Sequence, residues 1–563
     1  MNLQNFQGKT IARLAEVKSM FESVGGASKV PFFKQKNVIR YKAENWYTSA
    51  NLHIHLFANV KAHCKLAEVK LCRGITSSGT LLPIFLIIPH IVNKYEPVPM
   101  SLCNLDGSIC KTNKSVLLKL FKTDSNTPNH TDIVIIDGFF LLHCIKDVPK
   151  TFGNLSKKIL QMVTNNTAAE VHLIFNRYFS PSIKDYERST RATGVSHRNY
   201  VITGPEQIRP VDFVKELRND KFKEALIRFL ILHWNNNEMA PFIRNKTILL
   251  NFDYCYMYKV DESNNVVRTN NDDFSCIPHE EADTKIIYHI CKIDYDANVV
   301  IKCSDTDILV ILLGNIGNMK SKSKIWIESG TAAKRNIIDV CKLYDSLGQS
   351  LCRALPGFHA LTGCDYNPSF YRKGKQKPYT ILKKNENYIK AFIDVGDPSC
   401  NEEAVFQVLE DFVCNMYGLT SKKNLMTVNN ARFQLFLKNF KIKNVNEAFT
   451  KKNLKNFDAS SLPPCKSELQ QHLLRCKYIT NIWQNANKRN PCDLDPLEFG
   501  WIDANDSTRY EFQWFEGEQL PKIVKDVIID KDDSEAEEVE AEYDSDESCD
   551  PEDDMELPTD TEE

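Results

Sequence analysis

The sequence predicts an α/β fold with a mainly parallel sheet flanked by helices. Three observations carry this expectation. Residues 133–136, Ile-Val-Ile-Ile, form a continuous β-branched run, the pattern of a strand buried on both faces. Further apolar runs at 171–175, 248–250, 299–301 and 324–327 alternate with stretches of helical periodicity. Acids stand where such runs end: Asp137 after the first, Asp305 and Asp307 after the run at 299–301. In parallel α/β sheets ligands bind outside the carboxyl ends of the strands.

Taken in order, residues 1–125 read as an α+β N-terminal region. Gly25-Gly26 and Ser77-Ser78-Gly79 mark turns, and Asp106-Gly107 predicts a hairpin. Ser115 or Asn113 would cap a short helix ending at Phe121. His53, His55, His63, Cys64 and Cys72 lie close in sequence, but in no spacing typical of zinc.

Residues 126–400 read as the sheet domain. Helices are expected over 139–145 and 155–163. Lys184, Arg188 and Arg191 then fall at helical spacing and form one basic face. A loop spans 194–210, and Phe222, Leu226, Phe229 and Leu230 predict a helix over 213–234. A second helix carries Ile286, Ile287 and Ile290, with Asp283 or Thr284 at its N-cap. An apolar run at 308–313 follows Asp307. Another helix is expected near 337–347, and Asp365 sits in a Gly-Cys-Asp turn.

Residues 401–529 read as mainly helical. Val405, Leu409, Phe412 and Met416 form one stripe. Ser467 would cap a helix bearing Leu469, Leu473 and Trp483, just after Pro463-Pro464. Cys465, His472, Cys476 and Cys492 are a candidate zinc set, or ordinary buried side chains. Residues 530–563 read as a disordered tail.

Composition narrows the class. Hydrophobic residues make up 42 % of the 563, enough for a sizeable core. The longest apolar stretch, at 81–92, is short and broken by Pro83 and Pro89, so no membrane helix is expected. The first residues lack a signal-peptide pattern, and the 18 cysteines contain no Cys-x-x-Cys; both point to an intracellular chain with reduced thiols. The formal charge of −2 hides a division. Residues 530–563 hold 19 acids and one lysine, which leaves 70 Lys/Arg against 54 Asp/Glu in the rest. A basic body suits a polyanionic partner, nucleic acid, and a nuclear location. No Walker loop and no Gly-x-Ser-x-Gly elbow is present.

The acids at predicted strand ends and turns are Asp137, Glu281, Asp283, Asp305, Asp307 and Asp365. Mg²⁺ and Mn²⁺ prefer hard oxygen ligands of this kind. Two such ions can clamp the attacking and leaving oxygens of a phosphodiester. Clustered carboxylates repel one another unless cations balance them. Taken singly, each of these acids is also what a turn or helix cap requires.

The order of these motifs resembles the flap-endonuclease-like branch of the PIN-like nuclease superfamily. The residues that carry the likeness are Asp137 in IVIID, Asn176 after VHLIF, and Lys184 with Arg191 seven positions later. Glu281-Ala282-Asp283, Asp305-Thr306-Asp307 and Gly363-Cys364-Asp365-Tyr366 complete it. Across most of the chain, HALTGCD, HEEADT, CSDTDILV, MSLCNLDGSICKTNK and the stretch from LPPCKSELQQHLLR resemble a multicopy group of animal proteins, for which a mobile-element origin is an expectation.

The resemblance implies a PIN-like fold and metal-dependent hydrolysis of nucleic acid, DNA rather than RNA, with two Mg²⁺ or Mn²⁺ ions. Asp305, Asp307 and Asp365 would hold one ion; Asp137, Glu281 and Asp283 would hold the other. Lys184 and Arg191 would be catalytic. Arg188, Arg372, Lys373, Lys375 and Lys377 would contact the nucleic-acid backbone. The chain departs from the family at Asn176, which replaces a carboxylate and would ligate weakly. It departs again in the long stretch before Asp137 and in the Lys-rich segment around Gly374. The alternative is a weakened or inactive nuclease fold that binds nucleic acid or acts as a scaffold.

Overall fold

Alternate residues of the first strand serve two different cores. Ile133 and Ile135 pack into one apolar cluster, Val134 and Ile136 into the other. This is the period-two geometry of a strand covered on both faces. The structure is a computed structural model that describes residues 98–104, 107–121, 128–191, 199–330, 335–419, 425–440, 459–504 and 509–516. The His/Cys group at 53–72, Asp106 and the expected tail lie outside the described residues.

Strand β1 (Ile133–Asp137) sits inside an eight-stranded sheet. It pairs parallel with β2 (Glu170–Ile174) on one side and β6 (Asn298–Lys302) on the other. Strand β3 (Thr247–Asn251) adds parallel to β2, and β7 (Lys324–Ser329) adds parallel to β6. Antiparallel strands finish both edges: β4 (Cys255–Val260) and β5 (Val266–Asn270) beyond β3, and β8 (Asn336–Asp339) beyond β7. The order is β5-β4-β3-β2-β1-β6-β7-β8. The chain builds leftward from β1, then returns to build rightward from β6. The switch point therefore lies between β1 and β6, where open α/β sheets place their ligands.

Helices α1 (Val116–Leu120), α2 (Gly138–His143) and α3 (Phe152–Thr164) come early in the chain. They are followed by α4 (Asp185–Arg191) and α5 (Asp220–His233). One face of the sheet is covered by α3 and α5, through Phe152, Leu155, Ile159, Phe222, Leu226 and Leu230. The other is covered by α6 (Ala282–Lys292), α7 (Thr306–Asn315) and α9 (Gln349–Leu361), with α8 (Val340–Leu347) between α7 and α9 in sequence.

Several expectations are corrected. The apolar run at 308–313, to which the sequence assigned no element, is helix α7, with every residue from Ile308 to Leu313 fully buried. A helix buried all round carries no amphipathic period, so its sequence matches that of a core strand. The helix expected over 213–234 divides into Phe213–Glu216 and α5, because Asn219 accepts from Lys221 N–H (3.0 Å) and starts a new helix. The helix near 337–347 opens with β8, and Asp339 then caps α8 at Lys342 N–H (3.0 Å). The β4–β5 hairpin was not foreseen; its turn uses Asn264 at φ +63°. Glu281, not Asp283 or Thr284, is the N-cap position of α6.

Described residues on both sides of 125 and of 400 share one core. Leu102, Ile109, Leu117 and Phe121 share a cluster with Ile301 and Leu309. Phe412 of α11 (Glu402–Met416) and Leu469 and Trp483 of α12 (Lys466–Gln484) join the same cluster. Cys465, not Ser467, is the N-cap residue of α12. This helix touches the turn that carries Asp365. Arg475 Nε donates to Asn367 Oδ1 (3.1 Å), and Asn367 Nδ2 donates to the His472 carbonyl (3.2 Å).

Candidate metal centre

The acids come from four places in the chain: the end of β1, the starts of α6 and α7, and the turn after α9. Asp137 is the last residue of β1 and the N-cap of α2. Its Oδ1 accepts from Phe139 N–H (2.9 Å) and Phe140 N–H (3.3 Å), satisfying donors that a helix start leaves unpaired. Burial pushes its carboxyl up to about 6, although those two N–H bonds pull the other way. Gly138 follows because nothing larger fits: a Cβ there would stand 2.2 Å from the Phe175 ring.

Asn176 lies just past β2. Its Oδ1 accepts from Ala282 N–H (2.9 Å), and its Nδ2 donates to Glu281 Oε2 (2.8 Å). The amide caps α6 and holds Glu281 together; a carboxylate could do only the first. Lys285, one turn into α6, donates to the Phe175 (2.9 Å) and Phe252 (2.5 Å) carbonyls. This ties the start of the helix to the ends of β2 and β3.

Glu281 also accepts from Lys184 Nζ (2.7 Å) and Arg188 Nη2 (3.1 Å). Burial alone would raise its pKa, but Lys184 and Arg188 overcome that and hold it below the usual carboxylate range. Burial likewise opposes the Lys184 charge, yet Glu281, Asp365 and Asp283 outweigh it and keep the ammonium protonated. Arg188 pairs with Glu280 at 2.6 Å as well as with Glu281. The Arg191 backbone ends α4, and its side chain lies outside the described residues.

Asp283, Asp305 and Asp307 converge. Each offers a carboxylate oxygen, and these atoms lie within 4.8 Å of one another. Asp305 caps α7 by accepting from Asp307 N–H (3.0 Å). Burial and the Asp307 charge push Asp305 up to about 7. Burial pushes Asp283 well above the ordinary range, with Asp305 and Asp307 adding to it and Lys184 offsetting part. Asp307 goes the other way. Burial resists its charge, but Lys114 Nζ, 2.9 Å from Oδ2, and His359 Nε2, 2.9 Å from Oδ1, hold it well below the usual range.

Asp365 comes from the turn after α9. Gly363 makes the turn at φ +112°, and a Cβ there would meet Ser369 at 2.6 Å. The Asp365 carboxylate lies 2.6 Å from Lys114 Nζ and 3.8 Å from Lys184 Nζ.

Lys114 and His359 were not singled out from sequence. Lys114 belongs to the KTNK run and His359 opens HALTGCD. A lysine in a segment of undefined fold carries no local signal that it will meet acids far along the chain.

The downstream basic residues divide. Arg372 and Lys377 are exposed, and Lys373 is partly buried with its Nζ 4.3 Å from the centre of the Tyr417 ring. Lys375 is corrected: it is 0 % exposed and cannot reach a phosphate backbone from there. Its Nζ donates to Thr362 Oγ1 (2.8 Å) and to the His359 carbonyl (3.1 Å). The place before α10 (Gln376–Leu382) is interior because Phe358 and Tyr379 pack there. Arg188 is also corrected in part, since its guanidinium is engaged by Glu280 and Glu281.

The Cys465, His472, Cys476 and Cys492 set does not converge; among the described residues only the three aspartates form a metal-sized group. His472 instead sits with Nε2 2.9 Å from the Leu361 carbonyl, and burial lowers its pKa to about 3. No protein-family model matches the chain, and no curated protein matches it in sequence.

Proposed function

We propose that the chain is a nuclease of the flap-endonuclease-like, PIN-like kind that hydrolyses phosphodiesters with a divalent cation. The observation that supports this most directly is the convergence of Asp283, Asp305 and Asp307 at the switch point between β1 and β6.

These residues fit Mg²⁺ or Mn²⁺. The donors are all hard carboxylate oxygens. Burial holds Asp283 and Asp305 well above ordinary carboxyl pKa values, so each carries an energetic demand for positive charge. Asp283, Asp305 and Asp307 would hold the ion. A bound Mg²⁺ or Mn²⁺ supplies an activated water and Lewis-acid stabilisation of the phosphate.

The chain's own residues do the rest. Lys184 stays charged through Glu281 and Asp365 and opposes negative charge that develops on the phosphate. Arg191, at the end of α4, is the second candidate for that role. Arg372, Lys373 and Lys377 contact backbone phosphates without reading sequence. His359 orients Asp307 through its Nε2 bond.

A second reading rests on Asn176, the neutral amide where the resembling family carries a carboxylate. On that reading the fold binds nucleic acid without cutting it.

The test is cleavage of labelled single-stranded, duplex and flapped DNA and RNA with Mn²⁺ or Mg²⁺. Wild type would run beside Asp305→Asn/Asp307→Asn. Cutting by wild type alone is the expected result. Binding without cutting by either protein moves the conclusion to the second reading.

A further inference from the structure

Some of the carboxylates expected to hold two ions already have cations of the chain between them. Lys114 Nζ bridges Asp307 (2.9 Å) and Asp365 (2.6 Å). Lys184 Nζ lies 2.7 Å from Glu281 and 3.8 Å from Asp365. Together the two ammonium groups carry the charge of one divalent ion. They pair with Glu281 and Asp365, which are left over once Asp283, Asp305 and Asp307 are taken as a group, and Lys114 also pairs with Asp307 of that group.

Lys114 is not a loose surface lysine that happens to reach an acid. Its side chain is only 20 % exposed. Across it, Asn113 Oδ1 accepts from Ser115 N–H (3.0 Å) and Ser115 Oγ (2.7 Å), so the backbone is folded tightly around it. On its N-terminal side, the bridge between Cys103 and Ile109 makes a small hairpin, with Gly107 at φ +83°. That hairpin is bonded to the segment after Asp365: Ser369 N–H donates to the Cys110 carbonyl (2.8 Å), and Tyr371 N–H donates to the Ser101 carbonyl (2.7 Å). Tyr186 Oη accepts from Ile109 N–H (3.1 Å), and Lys111 pairs with Glu187 (2.8 Å). The ammonium is therefore carried by a scaffold clamped to both the Asp365 turn and α4. A cation held this way is preorganised and gives up little side-chain freedom when it pairs.

We propose that Lys114, together with Lys184, acts as a built-in cation in place of a second divalent ion, so that the chain binds a single ion at Asp283, Asp305 and Asp307. This rests on the metal-dependent reading above and replaces the two-ion expectation.

The test is the number of Mn²⁺ ions bound per full-length chain, measured by calorimetric titration and by counting free Mn²⁺ with electron paramagnetic resonance. Wild type is expected to bind one ion. Lys114→Met removes the charge with little loss of bulk and is expected to bind two; Lys114→Arg is expected to stay at one. Two ions on the wild type overturn the proposal while leaving the metal-dependent reading intact. One ion on a folded Lys114→Met chain, checked by circular dichroism, also overturns it. If Lys114→Met does not fold, the wild-type count and the Lys114→Arg count still decide. No Mn²⁺ on the wild type overturns both this proposal and the metal-dependent reading.

Discussion

Lys114 Nζ lies 2.9 Å from Asp307 Oδ2, although the two residues are 193 positions apart in the chain. The same ammonium reaches Asp365 at 2.6 Å. One cation from before the sheet thus joins acids from α7 and from the turn after α9.

Asp305→Asn should abolish the stabilisation that a divalent ion confers. A ligand that binds only the folded state stabilises it by about 2.7 kcal/mol at a hundredfold excess over Kd. Wild-type melting temperature should therefore climb with Mn²⁺ concentration, and the variant's should stay flat. An equal rise in both proteins would remove Asp305 from the metal site.

Asn176→Asp should destabilise the chain in EDTA. The new oxygen would replace the Nδ2 donor that stands 2.8 Å from Glu281 Oε2, while the bond to Ala282 N–H could persist. Losing that donor and adding like charge should cost about 1–3 kcal/mol. Denaturant midpoints with and without Mg²⁺ provide the check, and added Mg²⁺ should recover part of the loss. No loss in EDTA would show that the amide does not hold Glu281.

Gly138→Ala should unfold the start of α2 or displace Phe175. The added Cβ would fall 2.2 Å from that ring, and overpacking of this kind costs about 1–3 kcal/mol. Phe175→Leu in the same chain should restore much of the stability by making room. If the double variant is no more stable than Gly138→Ala alone, the clash is not the cause.

Lys375 predicts a pH dependence. Burial lowers its pKa to about 7, whereas an unfolded lysine titrates at about 10.4. Between those values the unfolded chain binds more protons, so this group's contribution to stability rises with pH. Its destabilising effect is fully present below about pH 7 and fades as pH approaches about 10. Lys375→Met should therefore gain most, relative to wild type, near pH 6–7, and the gain should shrink as pH rises. A difference that is constant from pH 6 to pH 10 would contradict a neutral buried lysine.

How far sequence reached can be judged residue by residue. The β-branched run ending at Asp137 identified β1, and the runs at 171–175, 248–250 and 299–301 identified β2, β3 and β6 within a residue or two. Strands buried on both faces need nearly continuous apolar sequence, and that signal is local. The acids Asp137, Asp283, Asp305 and Asp307 were legible for the same reason, since each sits at the end of such a strand or in the first turn of a helix. The antiparallel β4–β5 edge was missed because its half-exposed strands show a weaker pattern.

By itself, then, the sequence determined the parallel α/β layers and the acids at their carboxyl ends, because backbone periodicity and caps are decided among neighbours a few residues apart. Only the tertiary structure decided which acids converge, that Asn176 is a donor to Glu281, that Lys375 is interior, and that Lys114 and His359 share Asp307. Those pairings join segments far apart in the chain. They are set by how the N-terminal hairpin, α9 and α12 pack around one core, and no local pattern of residues encodes that packing.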